Sequence, residues 1–112
     1  MDLSTEDAKL VTLARATRAR VGAAEGAAVR DADGRTYAAA TVDLPSLRLS
    51  ALQVCVAMAV ASGSKGLGAA ALLGDGAELS EADRAALTDF GGADIAVHLG
   101  DPRGTITSTS RT

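Results

Sequence analysis

Aromatic side chains are nearly absent from this sequence: one Phe, one Tyr and no Trp in 112 residues. Without large rings the core has to be assembled from Ala, Val and Leu, and 25 of the residues are alanine. Small side chains each remove little surface from water, at about 25 cal/mol per Å². Such a domain gains by burying further area against copies of itself, so a homo-oligomer, dimer or tetramer, is expected. Cysteine is equally scarce. The single Cys55 excludes an internal disulfide and fits a reducing compartment. Basic charge is outnumbered, 11 Lys and Arg against 14 Asp and Glu, for a net charge of −3. No broad positive field exists to attract nucleic acid or an anionic membrane. The longest apolar run, residues 54–61, is far too short to span a bilayer. The start, MDLSTEDAKL, has neither the basic end nor the apolar stretch of a secretion signal. A cytoplasmic chain with one core is the expectation.

What is present is a clear alternation of patterns. LSTEDAKLVTLARATRAR (3–20) places Leu10, Leu13, Ala14 and Thr17 near a 3.6-residue period, and Ser4 with Asp7 forms a capping-box start. Two short apolar runs then flank Asp33-Gly34, a strong hairpin signal. A second helix is predicted from Ser50 to Ser62, closing at Gly63. GLGAAALLGDG reads as a buried strand, LSEADRAALTDFGG as a helix starting at Ser80, and ADIAVHLGD as another strand. The order α-β-β-α-β-α-β predicts an α/β fold, a three-layer α-β-α sandwich with a mixed sheet. The domain is drawn over 1–100. The polar stretch 101–112 is a C-terminal tail that either adds an edge strand at 105–107 or stays loose.

The run VRDADGRTYAAATVD leading into LSALQ, with LSEADRAALTDF further on, resembles the cytidine deaminase family over about residues 21–100. There a GAAV…DGR.Y.G.NVEN hairpin feeds a helix starting Cys-Ala-Glu, and a later helix starts Pro-Cys-x-x-Cys-Arg and ends near L.EF. Arg84, Leu87 and Phe90 stand at matching places. The resemblance implies a zinc held by three Cys or His ligands, and a glutamate shuttling protons to and from the zinc-bound water. Carried over by position, the ligands fall on Ser50, Ser80 and Asp83, and the glutamate falls on Leu52. Hydroxyls are poor zinc ligands and leucine moves no proton. All four chemical groups are therefore replaced together. The resemblance also puts Thr41 and Asp43 where the family contacts the sugar of its nucleoside. SALQ and SEAD supply S-x-x-Q/D boxes at the two helix starts, each worth about 1 kcal/mol. The expectation is a catalytically inactive scaffold without cofactor or metal, its pocket plugged by Leu52, acting as a structural or interaction protein with itself or a further protein partner.

Other readings are weighed against this one. A nucleoside or nucleotide sensor would keep Thr41 and Asp43 as contacts without catalysis, and a residual deaminase-type hydrolase would keep the reaction. A transition metal would have to unite Cys55, His98 and Asp83, the first two being the only soft ligands. A new catalytic constellation would join Asp83 to His98. SGSKGLG (62–68) has the residues of a phosphate cradle, but it follows a helix and precedes a strand, the reverse of the P-loop order. Lys9, Arg15, Arg18 and Arg20 give the first helix a solvated basic side.

Overall fold

In the computed structural model, which describes residues 3–112, ten elements build three layers. They are α1 (Thr5–Val21), β1 (Glu25–Asp31), β2 (Thr36–Ala40), β3 (Val42–Leu44), β4 (Leu47–Leu49), α2 (Ala51–Ala61), β5 (Leu67–Gly74), α3 (Glu81–Gly91), β6 (Ala96–Gly100) and β7 (Ile106–Arg111). Five strands form one sheet in the order β2-β1-β5-β6-β7. Only β5 and β6 run parallel, joined through α3, while every other neighbouring pair is antiparallel. The expected mixed sheet with helices on both faces is what forms.

Strand β5 explains the layering. Its LGAAALLG run is apolar throughout because both of its faces are covered. Ala70 and Leu72 point into a cluster with Leu52, Cys55 and Leu87 of α2 and α3. Ala69, Ala71 and Leu73 point the other way, onto Leu10 and Ala14 of α1. Helix α1 comes close because β1 offers Gly26: a Cβ there would lie 2.4 Å from the Ala14 carbonyl oxygen and 2.6 Å from the Arg18 Cβ.

Caps and turns follow local chemistry. The Ser4 hydroxyl accepts the Asp7 amide at 3.0 Å, and Gly22 ends α1 in the left-handed region at φ 72°. Gly34, at φ 90°, closes the β1–β2 turn. That turn is held by Asp31, whose carboxylate accepts from the amides of Asp33 and Arg35 and from the Ser64 hydroxyl at 2.5 Å. Ser64 thus ties the 62–68 loop to the hairpin, and that loop is a helix stop.

Two features differ from the sequence expectation. The stretch between β2 and α2 holds a separate two-stranded ribbon, β3–β4. The polar stretch 101–112 supplies the fifth strand of the main sheet, longer than the three residues allotted to an edge strand. Thr112 is bonded too, its hydroxyl accepting the Ile95 amide at 2.9 Å. Met1 and Asp2, the first residues of the acidic start, lie outside the described residues. Among the described residues no helix is long and apolar enough to cross a membrane.

Candidate functional site

Helices α2 and α3 lie on the same face of the sheet with their N-terminal ends close together. Each start exposes orphan backbone N–H groups and the positive end of a helix dipole. At the start of α2 a complete capping box is built: the Ser50 hydroxyl accepts the Gln53 amide at 3.0 Å, and Gln53 Oε1 accepts the Ser50 amide at 2.9 Å. At the start of α3 the box is half built. The Ser80 hydroxyl accepts the Asp83 amide at 3.1 Å, but the Asp83 carboxylate reaches across to the other helix. There Asp83 Oδ1 accepts the Ser50 hydroxyl at 2.5 Å. The expectation of two independent boxes is corrected accordingly. A side chain from α3 completes the start of α2, where the Ser50 hydroxyl donates to the buried carboxylate.

Asp83 is 4% exposed and Leu52 is 1% exposed. Leu52 lies among the apolar residues of the α2–α3 layer, packed as core. The strand side of this region carries Glu25, a residue that the sequence reading passed over. It stands in phase with Ala27 and Val29, which face α2 and α3. Burial raises the Glu25 carboxyl above its ordinary value, and the negative charge of Asp83 raises it further. The signal was there to find, as the one charge in the apolar run AAEGAAV.

Thr41 clasps the same spot. Its hydroxyl accepts the Glu25 amide at 3.0 Å and lies 3.3 Å from the Glu25 carbonyl oxygen, to which it donates. Asp43 stands apart on the ribbon, paired with Arg48 at 3.3 Å, both side chains well exposed. Thus Ser50, Ser80 and Asp83 come together with Leu52 beneath them, while Asp43 takes its partner elsewhere. A hollow of about 170 Å³ lies at the ends of β5 and β6, lined by Gly74, Gly76, Ala77, Gly100, Asp101 and Thr107, and Ser50, Leu52, Ser80 and Asp83 are not among its lining residues.

The donor set does not fit zinc. One carboxylate and two hydroxyls converge here, and both hydroxyls are engaged in caps, Ser50 also as a donor to that same carboxylate. Thiolate and imidazole are missing from the group. Cys55 is fully buried one turn further along α2, its thiol 3.6 Å from the Tyr37 carbonyl oxygen, and burial pushes that thiol up to about 12. It stays a neutral thiol.

His98 lies on the other side of the sheet, which corrects both constellations that needed it. Val97 and Leu99 point toward α2 and α3, so His98 between them faces α1. Its Nε2 is 2.8 Å from Asp7 Oδ2, and its Nδ1 is 2.9 Å from the Thr109 hydroxyl. Asp7 also pairs with Arg30 at 2.9 Å. Burial alone would raise the Asp7 carboxyl, but the hydrogen bonds to His98 and Arg30, with their charge, outweigh it and hold the group below its ordinary value. His98 therefore joins neither Asp83 in a catalytic pair nor Cys55 in a metal site. The residue pins α1 to the sheet.

Comparison with known proteins follows the same lines. A profile described as cytidine deaminase-like matches residues 3–104. A solved cytidine deaminase from Burkholderia pseudomallei is 21% identical, with a TM-score of 0.82 over 96% of this chain and 92% of the other. The cytidine deaminase from Mycobacterium leprae is 22% identical, with a TM-score of 0.73 over 94% and 93% of the two chains. That from Mycobacterium tuberculosis is 25% identical, with a TM-score of 0.72 over 84% and 85%. Comparison with curated protein sequences finds no match.

Proposed function

The chain belongs to the cytidine deaminase-like family, and we propose that it is a catalytically inactive, metal-free member serving as a structural or interaction protein. One observation carries this reading: the hydrogen bond from Ser50 to Asp83 at the paired helix starts, over a core-packed Leu52. A deaminase of this kind needs an ion that lowers the pKa of water and a carboxylate that carries the proton. Here the positions carried over for the ligands hold groups that satisfy one another, and the position of the proton carrier holds an alkyl side chain. The dipole ends that would favour thiolates are met instead by hydroxyl caps and one shared carboxylate.

Inactivity of this origin is positive structure rather than damage. Each replacement supports another: Ser50 caps α2, Asp83 accepts from Ser50, Ser80 caps α3, and Leu52 fills the space below. Self-association belongs to the same proposal. The core is built largely from alanine, and α2 carries no charged side chain along its length while Val60 is 52% exposed.

Two measurements test the proposal together. Purified chain is expected to hold zinc far below one equivalent and to leave cytidine unconverted. Stoichiometric zinc with formation of uridine would overturn it. A positive control fixes the meaning of a null result. Ser50→Cys, Leu52→Glu, Ser80→Cys and Asp83→Cys combined are expected to raise zinc affinity above that of the parent.

A further inference from the structure

We propose that Arg15 and Arg18 of α1 form a carboxylate clamp on the outer layer of the sandwich, and that it takes a short acidic polypeptide segment of a partner protein. This rests on the reading of the chain as an interaction protein and names the chemical class of what it meets.

Charge is sorted along this chain. Residues 8–24 hold Lys9, Arg15, Arg18 and Arg20 and no acid, while the remaining residues hold 7 Lys and Arg against 14 Asp and Glu. The fold keeps the two parts separate, because α1 covers one face of the sheet by itself and α2 with α3 the other. Lys9 finds Glu6 at 3.5 Å. Among the described residues Arg15, Arg18 and Arg20 form no ion pair. A helix dipole favours cations in the last turn, which accounts for Arg18 and Arg20. Arg15 stands a turn earlier, where the dipole gives it no support.

Both arginines are held in place by the fold. The Arg15 stem lies by the β6–β7 turn, where a Cβ at Gly104 would sit 3.5 Å from its Cδ. The Arg18 Nε donates to the Ala24 carbonyl oxygen at 3.3 Å, and the Arg18 Cβ lies over Gly26. Residues three apart on a helix have Cβ atoms about 5–6 Å from each other. Two like charges fixed side by side repel until an anion joins them. Each guanidinium offers a carboxylate a pair of N–H donors, that of Arg18 from its two terminal nitrogens, and stems already ordered lose little freedom on binding. Thr12, Ala16 and Ala19, exposed alongside, are small enough for an extended chain to lie close. A nucleic acid fits worse. Its phosphates run on past two arginines onto an acidic chain, and the only rings, Tyr37 and Phe90, pack on the other face of the sheet, out of reach of a base.

The test is fluorescence anisotropy of a labelled Glu-Ala repeat peptide titrated with the full chain at low salt. Saturable binding that weakens as salt rises is expected. Arg15→Gln alone, and Arg15→Gln with Arg18→Gln, are each expected to weaken it about tenfold or more, with unchanged circular dichroism. Arg15→Lys with Arg18→Lys keeps the charge but loses the fork, and is expected to fall between wild type and the Gln pair. Lys9→Gln with Arg20→Gln removes the same net charge from the opposite flank of the helix and is expected to bind as wild type does. Single-stranded DNA of matched charge is expected to bind more weakly than the peptide. Wild type that ignores the peptide would overturn the clamp. So would equal weakening by the Lys9 and Arg20 changes, which would assign binding to a diffuse field, or full affinity in the Lys pair. Tighter binding of the DNA would assign the arginines to phosphates and overturn it as well. Zinc content and cytidine turnover are read on the same preparations. An inactive chain that ignores the peptide removes the clamp alone, and an active zinc enzyme removes the functional reading alone.

Discussion

Ser50 and Asp83 are 33 positions apart in the chain, yet the hydroxyl of one donates to the carboxylate of the other across 2.5 Å. The same serine caps α2, and the backbone amide of the same aspartate is capped by Ser80. Both helix starts therefore depend on a single junction.

Removing either partner should loosen both helices. Asp83→Ala leaves the Ser50 donor without its acceptor and is expected to cost about 1–3 kcal/mol in urea unfolding. Ser50→Ala loses a cap worth about 1 kcal/mol and the bridge together. The double variant is expected to cost less than the sum of the two, because the residues are in contact. Strict additivity would show the bond to be absent in solution.

Leu52 is expected to behave as core. Leu52→Ala should lower stability by about 2–5 kcal/mol, the range for emptying a packed site. Leu52→Glu alone should destabilise the chain without yielding zinc binding, because no ligand accompanies it. Denaturant midpoints and metal content on the same samples check both.

Glu25 and Asp7 give pH dependences of opposite sign. The Glu25 carboxyl is raised in the folded chain, so its protonated form is the one the fold prefers. Its contribution is present below the unfolded value and lost as pH rises through the folded one. Glu25→Gln is expected to stabilise the chain at neutral pH and to make no difference in acid. The Asp7 carboxyl is lowered, so its contribution is complete above the ordinary carboxylate value and lost as pH falls through the folded one. Asp7→Asn should flatten the acid limb of the stability curve. Urea midpoints collected across pH 2–8 separate the two.

Nucleosides bear on the remaining positions. With the Thr41 hydroxyl engaged by the Glu25 backbone and Asp43 paired to Arg48, calorimetry against a nucleoside panel is expected to give no heat. Saturable binding that weakens in Asp43→Ala would replace the proposed inactive scaffold by a sensor.

The helices and main strands were legible because their signals are local. Periodicity, Ser caps and the Asp33-Gly34 turn each act within a few residues, and α1, α2, α3 and the β1–β2 hairpin follow them. The family was legible through resemblance, and the same resemblance singled out Ser50, Leu52, Ser80 and Asp83. What escaped was what depends on partners far along the chain. S-x-x-D at Ser80 reads as a local box, but the carboxylate finds its donor on another helix. His98 reads as a loose ligand until the strand alternation turns it toward Asp7. Strands of three residues, like β3 and β4, are too short to register a period. The polar β7 carries no apolar alternation to announce it as a strand.

At Gly26 the backbone of β1 and the backbone of α1 stand against each other with no side chain between. At that crossing the helix has no cushion of rotatable carbons on which to slide or roll. Its freedom is all or nothing: seated along its length, or lifted from the sheet as a body. Amide exchange through the middle of α1 should accordingly keep one common pace, and any residue larger than glycine at position 26 should quicken that pace along the whole helix.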